Sequence, residues 1–446
     1  MNLAAIAFKS LKQRALASVL TGLSVALGVM LMVAVLVIYA VLDQTFSQRS
    51  IGYGLIVGPK GSPLQLVLST VYHTNPPIEN LPFRFFREIA AEPRVEVAIP
   101  VALGDVTEAG SFPIVGITPE YFLHDYAPRR KFLIRGNTLR KPFDALIGDR
   151  VAKVNGWDIG TEFRMIHGGA DTGHVHDEKF TVVGVLAPTG TPNDKSVFVH
   201  LDGFYQIQGH DKPFDEAIKR EREFFGEPAL SEEELAAQVA KLQKKYSHEG
   251  HDHSGHDHFH DVSDLQKEVT SILVIGKNPI AENLLRSDIN NSFKAMAVNP
   301  IMPMQQLMND VLGGVKIMLL VLTGLIIAVS GIGIFVSIYN SMAARKREIA
   351  IMRALGARRQ TVFSIILAES VMLCLGGGLL GLLLGHGLVF VAAPMVELKS
   401  GIIMNPWAFE PAELLLIPVL LGLGALVGAV PGLTAYRTDV SEALQS

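Results

Sequence analysis

Six histidines fall within thirteen residues, in the run His248-Glu-Gly-His251-Asp-His253-Ser-Gly-His256-Asp-His258-Phe-His260-Asp261. Neutral imidazole is a ligand for Zn²⁺, Ni²⁺, Cu²⁺ and Co²⁺, and the interleaved aspartates favour a cation. Gly and Ser interrupt the run, so it offers no fixed tetrahedral spacing. The expectation is a weakly selective site, open to more than one ion, at His248, His251, His253, His256, His258 and His260. The competing reading is a solvated low-complexity loop. A sparser group, His167, His174 and His176, either joins that site or decorates a loop.

Other chemistry is hard to find. No Gly-x-x-x-x-Gly-Lys-Ser/Thr occurs, and Gly58-Pro-Lys60-Gly-Ser62 has the wrong spacing for a phosphate loop, so it reads as a turn. No serine elbow, HExxH or paired-carboxylate constellation appears. The expectation is a non-catalytic chain, with any ATPase residing in a partner. Cys374 is the only cysteine, so no intramolecular disulfide staples the fold. Net charge is −4, which gives no field for nucleic acid.

The elements that would carry these residues are set by hydropathy. Of 446 residues 49% are hydrophobic and 18% charged, a membrane-like balance. Four apolar runs are long enough to cross a bilayer: Ala15–Leu42, Ile317–Met342, Thr361–Pro394 and Leu414–Tyr436. The first is too long for a cleaved signal and reads as a retained anchor. Lys9, Lys12 and Arg14 place the N-terminus in the cytoplasm; Arg345–Arg359 and Arg437 place the loop after the second run and the C-terminus there too. Gly377, Gly381 and Gly385, and again Gly424, Gly428 and Gly432, recur every four residues and predict close helix packing. Glu369 and His386 interrupt the third run. An ionisable group there is a functional candidate by default. Glu369 lies near the basic segment, however, and structural pairing is expected for both.

The fold expected is an α-helical membrane protein with four transmembrane helices plus a mixed α+β extracytoplasmic domain. Residues 1–42 form the cytoplasmic start and first helix, 43–310 the external domain with a helical, His-rich insertion at about 206–266, and 311–446 a domain with three further helices. In the external domain, strands are predicted at Val95–Val101, Phe112–Ile117, Phe180–Leu186, Ser196–Leu201 and Ser271–Ile275. Leu81–Ala91 has helical spacing. Ser231 with Glu234 forms a capping box, opening a helix with Leu235, Val239 and Leu242 on one face. Met302, Met304, Met308 and Leu312 suggest a stalk helix whose methionines pack rather than bind metal.

The run Arg347-Glu-Ile-Ala-Ile-Met-Arg-Ala-Leu-Gly-Ala-Arg358 suits an amphipathic helix stopped by Gly356, with Ile351 and Leu355 four apart and Ile349 and Met352 three apart. Apolar residues amid charges predict a docking element within 343–360, carried by Arg347, Glu348, Ile351, Arg353, Leu355 and Arg358, rather than a positive-inside anchor alone. This run resembles the cytoplasmic segment of FtsX-like, MacB-type permeases of the ABC transporters. Glu369-Ser, the glycines of 376–387 and Tyr436-Arg437-Thr-Asp-Val-Ser-Glu-Ala-Leu444 resemble the same family. Ile114-Val-Gly-Ile-Thr-Pro-Glu-Tyr121-Phe and Phe180-Thr-Val-Val-Gly-Val-Leu-Ala-Pro188 are similar to its periplasmic core domain.

The resemblance implies a multi-pass inner-membrane protein with its large domain in the periplasm, and a homodimer or paired permeases bound to an ABC ATPase that burns ATP. It implies that ATP-driven motion reaches the periplasmic domain to export or release a substrate. The segment 58–83 and the His-rich insertion depart from the general pattern and resemble a branch linked to zinc, which adds Zn²⁺ or another divalent metal and a periplasmic metal-binding protein or lipoprotein as expected partners. A second function fits the same residues: a metal-responsive regulator that controls a periplasmic partner and moves no cargo.

Overall fold

The computed structural model describes residues 3–46, 51–167, 174–246, 262–400, 407 and 409–437. The chain divides into two compact units, one formed by residues 1–44 with 308–446, the other by Thr45–Leu307.

In the first unit four helices among the described residues are long and apolar enough to cross a membrane: Ala15–Asp43, Ile301–Met342, Arg359–Val396 and Pro411–Tyr436, the second of them beginning in residues that belong to the other unit. The glycine stripes explain how three of these helices pack. A Cβ on Gly377 would lie 2.7 Å from Gly22 O, one on Gly381 2.5 Å from Ala26 O, and one on Gly385 2.8 Å from Val33 Cβ. All three contacts are on the first apolar helix. Gly424, Gly428 and Gly432 face Val371, Ser370 and Phe363 of the third in the same way. Removing the side chain lets backbones approach where lipid supplies no hydrophobic drive between helices.

Glu369 and His386 of the third helix are paired. Glu369 Oε1 is 3.8 Å from Arg345 Nη1, and His386 Nε2 is 3.1 Å from Glu413 Oε2. Arg345 also donates to Ser10 and Gln13 of the Leu3–Gln13 helix, beside a cavity of about 270 Å³ lined in part by Ile349 and Ile366.

The second unit is built on a mixed sheet. Its strands run in the order Met296–Val298, Leu55–Gly58, Ser271–Gly276, Val95–Thr107, Pro113–Ile117, Val197–His200, Asp144–Ile147, Phe180–Leu186 and Ile134–Gly136. Pairing is antiparallel except between Pro113–Ile117 and Val197–His200 and between Asp144–Ile147 and Phe180–Leu186. Both faces are buried, and alternation divides the side chains between them. Val57, Ile114, Ala145, Ile147, Val197, Val199, Ile272 and Val274 enter one apolar cluster; Ile56, Val115, Leu146, Phe198 and Leu273 enter the other. This is the period of two of an extended chain. Each such buried Val, Leu, Ile or Phe side chain stabilises by about 1.5–3 kcal/mol.

Two local expectations change and one holds. Leu81–Ala91 is not one helix: Leu81–Pro82 pairs with Glu268–Val269, and the helix is Phe83–Ala90, with Pro82 lacking an N–H at its start. The strand from Val95 continues past Val101 to Thr107. Its pairing with Pro113–Ile117 slips between Leu103 and Val106, where Gly104 has φ +150. This bulge breaks the alternation that marks a strand in sequence. The helix capped by Ser231 keeps Leu235, Val239 and Leu242 on its half-buried face, and Ser231 and Glu234 exchange the expected reciprocal bonds.

Candidate functional site

The bulge matters for chemistry because it carries Asp105. Asp105 lies directly across from His167 in the antiparallel pairing of Val95–Thr107 with Met165–His167. His167 Nδ1 is 2.8 Å from Asp105 Oδ1. The Met165–His167 strand then pairs with His174–Val175, and His176 N donates to Met165 O at 3.0 Å, which holds His176 beside the same pair. The fourth member arrives from elsewhere in the chain. After the Leu201–Gln206 helix the backbone turns through Gly209, at φ +90, and His210 N donates to Ile207 O. One ligand atom from each of Asp105, His167, His176 and His210 lies within 4.8 Å of every other.

Burial grades across the cluster. The Asp105 side chain is 1% exposed and that of His210 4%, while His167 is 64% exposed and forms the rim. His210 Nε2 stands 3.0 Å from Asp105 Oδ2, yet the pair is not aligned as donor and acceptor. Among the described residues His210 Nδ1 has no hydrogen-bond partner either. The Phe204 ring, 4.4 Å from that of His210 between centroids, forms an apolar wall. Burial, then the neighbouring His210, holds the His176 imidazole below its ordinary pKa, which favours the neutral form. Three imidazoles and a carboxylate suit a borderline divalent ion rather than Ca²⁺ or Mg²⁺.

A second site lies in the first unit. The basic helix spans Lys346–Ala354 and ends at Gly356, at φ +104. Ile349 and Ala350 are buried, whereas Ile351, Met352 and Leu355 are exposed, Leu355 by 84%. The apolar residues therefore do not form one stripe: Ile349 packs inward and Met352, three residues on, does not. Arg347, Glu348 and Arg358 are exposed and Arg353 is half-buried. Glu348 pairs with Arg345 at 3.3 Å.

Two family models match the chain. The FtsX-like permease C-terminal model matches residues 320–440, the stretch that contains this basic helix, and the MacB-like periplasmic core domain model matches residues 18–239. The chain belongs to the FtsX-like, MacB-type permeases of the ABC transporters. It is an inner-membrane protein with a large periplasmic domain. Among its relatives, the macrolide export ATP-binding/permease protein MacB of Rhodopirellula baltica is 27% identical over 192 residues, covering 41% of this chain and 27% of that protein. The ABC transporter permease YtrF of Bacillus subtilis is 29% identical over 140 residues, covering 29% of this chain and 32% of YtrF. The match thus spans about a quarter to a third of the length of these curated relatives. The periplasmic region of MacB from Actinobacillus actinomycetemcomitans aligns over 59% of this chain and 95% of its own at 12% identity, with a TM-score of 0.32.

For this permease, sequence and structure meet unevenly at the candidate sites. His248, His251, His253, His256, His258 and His260 lie outside the described residues. Of the sparser group, His167 and His176 come together, and His174 lies in the strand between them. Asp105 and His210 escape sequence reading. Nothing near either marks a ligand; the only signal was Gly104-Asp105 interrupting a β-rich run, which reads as its end.

Proposed function

We propose that this permease is the membrane subunit through which a separate ABC ATPase drives movement of the periplasmic domain, for export or release of a substrate. The observation that carries the reading is the basic helix at Lys346–Ala354. It lies inside the FtsX-like match and leaves Ile351, Met352 and Leu355 uncovered beside exposed Arg347, Glu348 and Arg358. Apolar side chains ringed by charge are the composition of a protein-docking surface. An anchor that only reads the positive-inside rule needs the charges and not the apolar residues. Two permeases and two ATPases, all four of the apolar helices spanning the membrane, and cytoplasmic N- and C-termini complete the proposed arrangement. A divalent metal as cargo or effector, at the histidine tract, is part of the same proposal and rests on composition.

The test is ATPase stimulation in nanodiscs containing the permease and its partner. Leu355→Asp places a charge where the side chain is mostly in solvent, so folding and insertion are expected to be unchanged. Stimulation is expected to fall to the level of the ATPase alone, and Glu348→Arg is expected to do the same. Full stimulation in both variants would overturn the docking assignment.

A further inference from the structure

We infer that Asp105, His167, His176 and His210 bind one divalent transition ion of the zinc class in the periplasmic domain. The inference does not depend on the docking assignment, and it names a site distinct from the histidine tract.

Asp105 is the starting point. An ionised carboxylate out of water costs several kcal/mol unless it is compensated. His167 hydrogen-bonds Oδ1, but Oδ2 has no hydrogen bond among the described residues, although His210 Nε2 is 3.0 Å away. A protonated His210 aligned on Oδ2 would be a simple ion pair. Here the contact does not make a hydrogen bond, and among the described residues both nitrogens of a 4%-exposed ring lack hydrogen bonds. A cation placed among the four residues would accept a lone pair from Asp105 and from each imidazole. Four protein ligands of this kind complete a tetrahedron and leave no position for a reactive water, so the ion is structural or regulatory and not hydrolytic. Zinc–ligand bonds of about 2.0–2.2 Å set tetrahedral edges near 3.4 Å. The present separations of up to 4.8 Å thus require side-chain rotation of about an ångström.

The ion would tie together elements far apart in sequence: the bulged strand, the paired strands Met165–His167 and His174–Val175, and the start of the helical insertion. That last point has a structural consequence. Lys212 N donates to Gln266 O, and Gln266 Nε2 donates to Asp211 Oδ2 and Lys212 O. The two ends of the insertion are therefore clasped next to His210, and an ion held by His210 fixes both of them to the sheet.

The experiment uses the full chain in lipid nanodiscs, with all six histidines at 248, 251, 253, 256, 258 and 260 replaced by asparagine. Cobalt is titrated as a spectroscopic probe, and zinc affinity is measured against a chelator. One equivalent of cobalt with the intense visible absorption of a four-coordinate site is expected. In that background His210→Ala and His167→Ala are each expected to weaken zinc binding by about 100-fold or more. His167 is at the exposed rim, so its variant keeps the fold even if His210→Ala does not. Backbone hydrogen exchange across 206–212 is expected to slow when zinc is added, and to be indifferent to zinc in His167→Ala. Loss of the cobalt band on replacing the tract alone, or unchanged zinc affinity in His167→Ala and His210→Ala, would overturn the site.

Discussion

His73 shows what burial does to a single group. Its ring is half-buried, its Nδ1 is 2.8 Å from Ser196 Oγ, and desolvation holds its pKa at about 4. The unfolded chain titrates near 6.5, so below that value the unfolded state binds a proton that the folded state refuses. Stability from His73 is therefore complete above pH 6.5, declines as pH falls towards 4 and is level below. The full loss is about 3 kcal/mol. His73→Asn suits the backbone, because φ is +51 and Asn tolerates positive φ. The difference in urea midpoint between wild type and His73→Asn is expected to shrink or reverse between pH 7.5 and pH 4.5. A difference independent of pH would show that His73 takes up its proton freely in the fold. None of this is visible in sequence, where His73 is one of 14 histidines. The same holds for Asp105 and His210, whose partners are set by pairing register and by a turn. His167 and His176 were visible because they are close in sequence.

At the scale of elements, the glycine stripes were legible because a four-residue repeat in an apolar run has one geometric meaning. They also give a clean contrast. Gly381→Ala would push a methyl to 2.5 Å from the Ala26 carbonyl oxygen, and backbone cannot yield as a side chain can. Gly387, in the same helix, has nothing within 4 Å of its Cβ position. Gly381→Ala is expected to cost about 1–3 kcal/mol of helix packing, and Gly387→Ala to be neutral or slightly stabilising. Thermal unfolding in detergent measures both; equal midpoints would mean that the first and third apolar helices do not meet along the stripe. The Phe83–Ala90 helix and the Val95–Thr107 strand were less legible. Pro82 and Gly104 mark boundaries, and whether an element stops or bends there depends on the neighbour it pairs with: Glu268–Val269 in one case and Pro113–Ile117 in the other.

For the whole molecule, composition and the apolar runs were enough to foresee a membrane unit and a large folded domain, because bilayer thickness fixes the length of an anchor. The mixed sheet could be predicted strand by strand but not in order, since its neighbours are set by pairings as distant as Leu55–Gly58 with Met296–Val298. On the function proposed above, a conformational change driven in the cytoplasm reaches the periplasmic domain. The most direct measurement places spin labels at Asp288, an exposed position of the periplasmic domain, and at Arg358 of the same chain, which the proposed arrangement puts in the cytoplasm, and follows their separation by pulsed electron resonance in the reconstituted complex. The account predicts a distance distribution that shifts between the ATP-trapped and nucleotide-free states, and a shift that vanishes in Leu355→Asp. Identical distributions in both states, in a complex that still hydrolyses ATP, would contradict it.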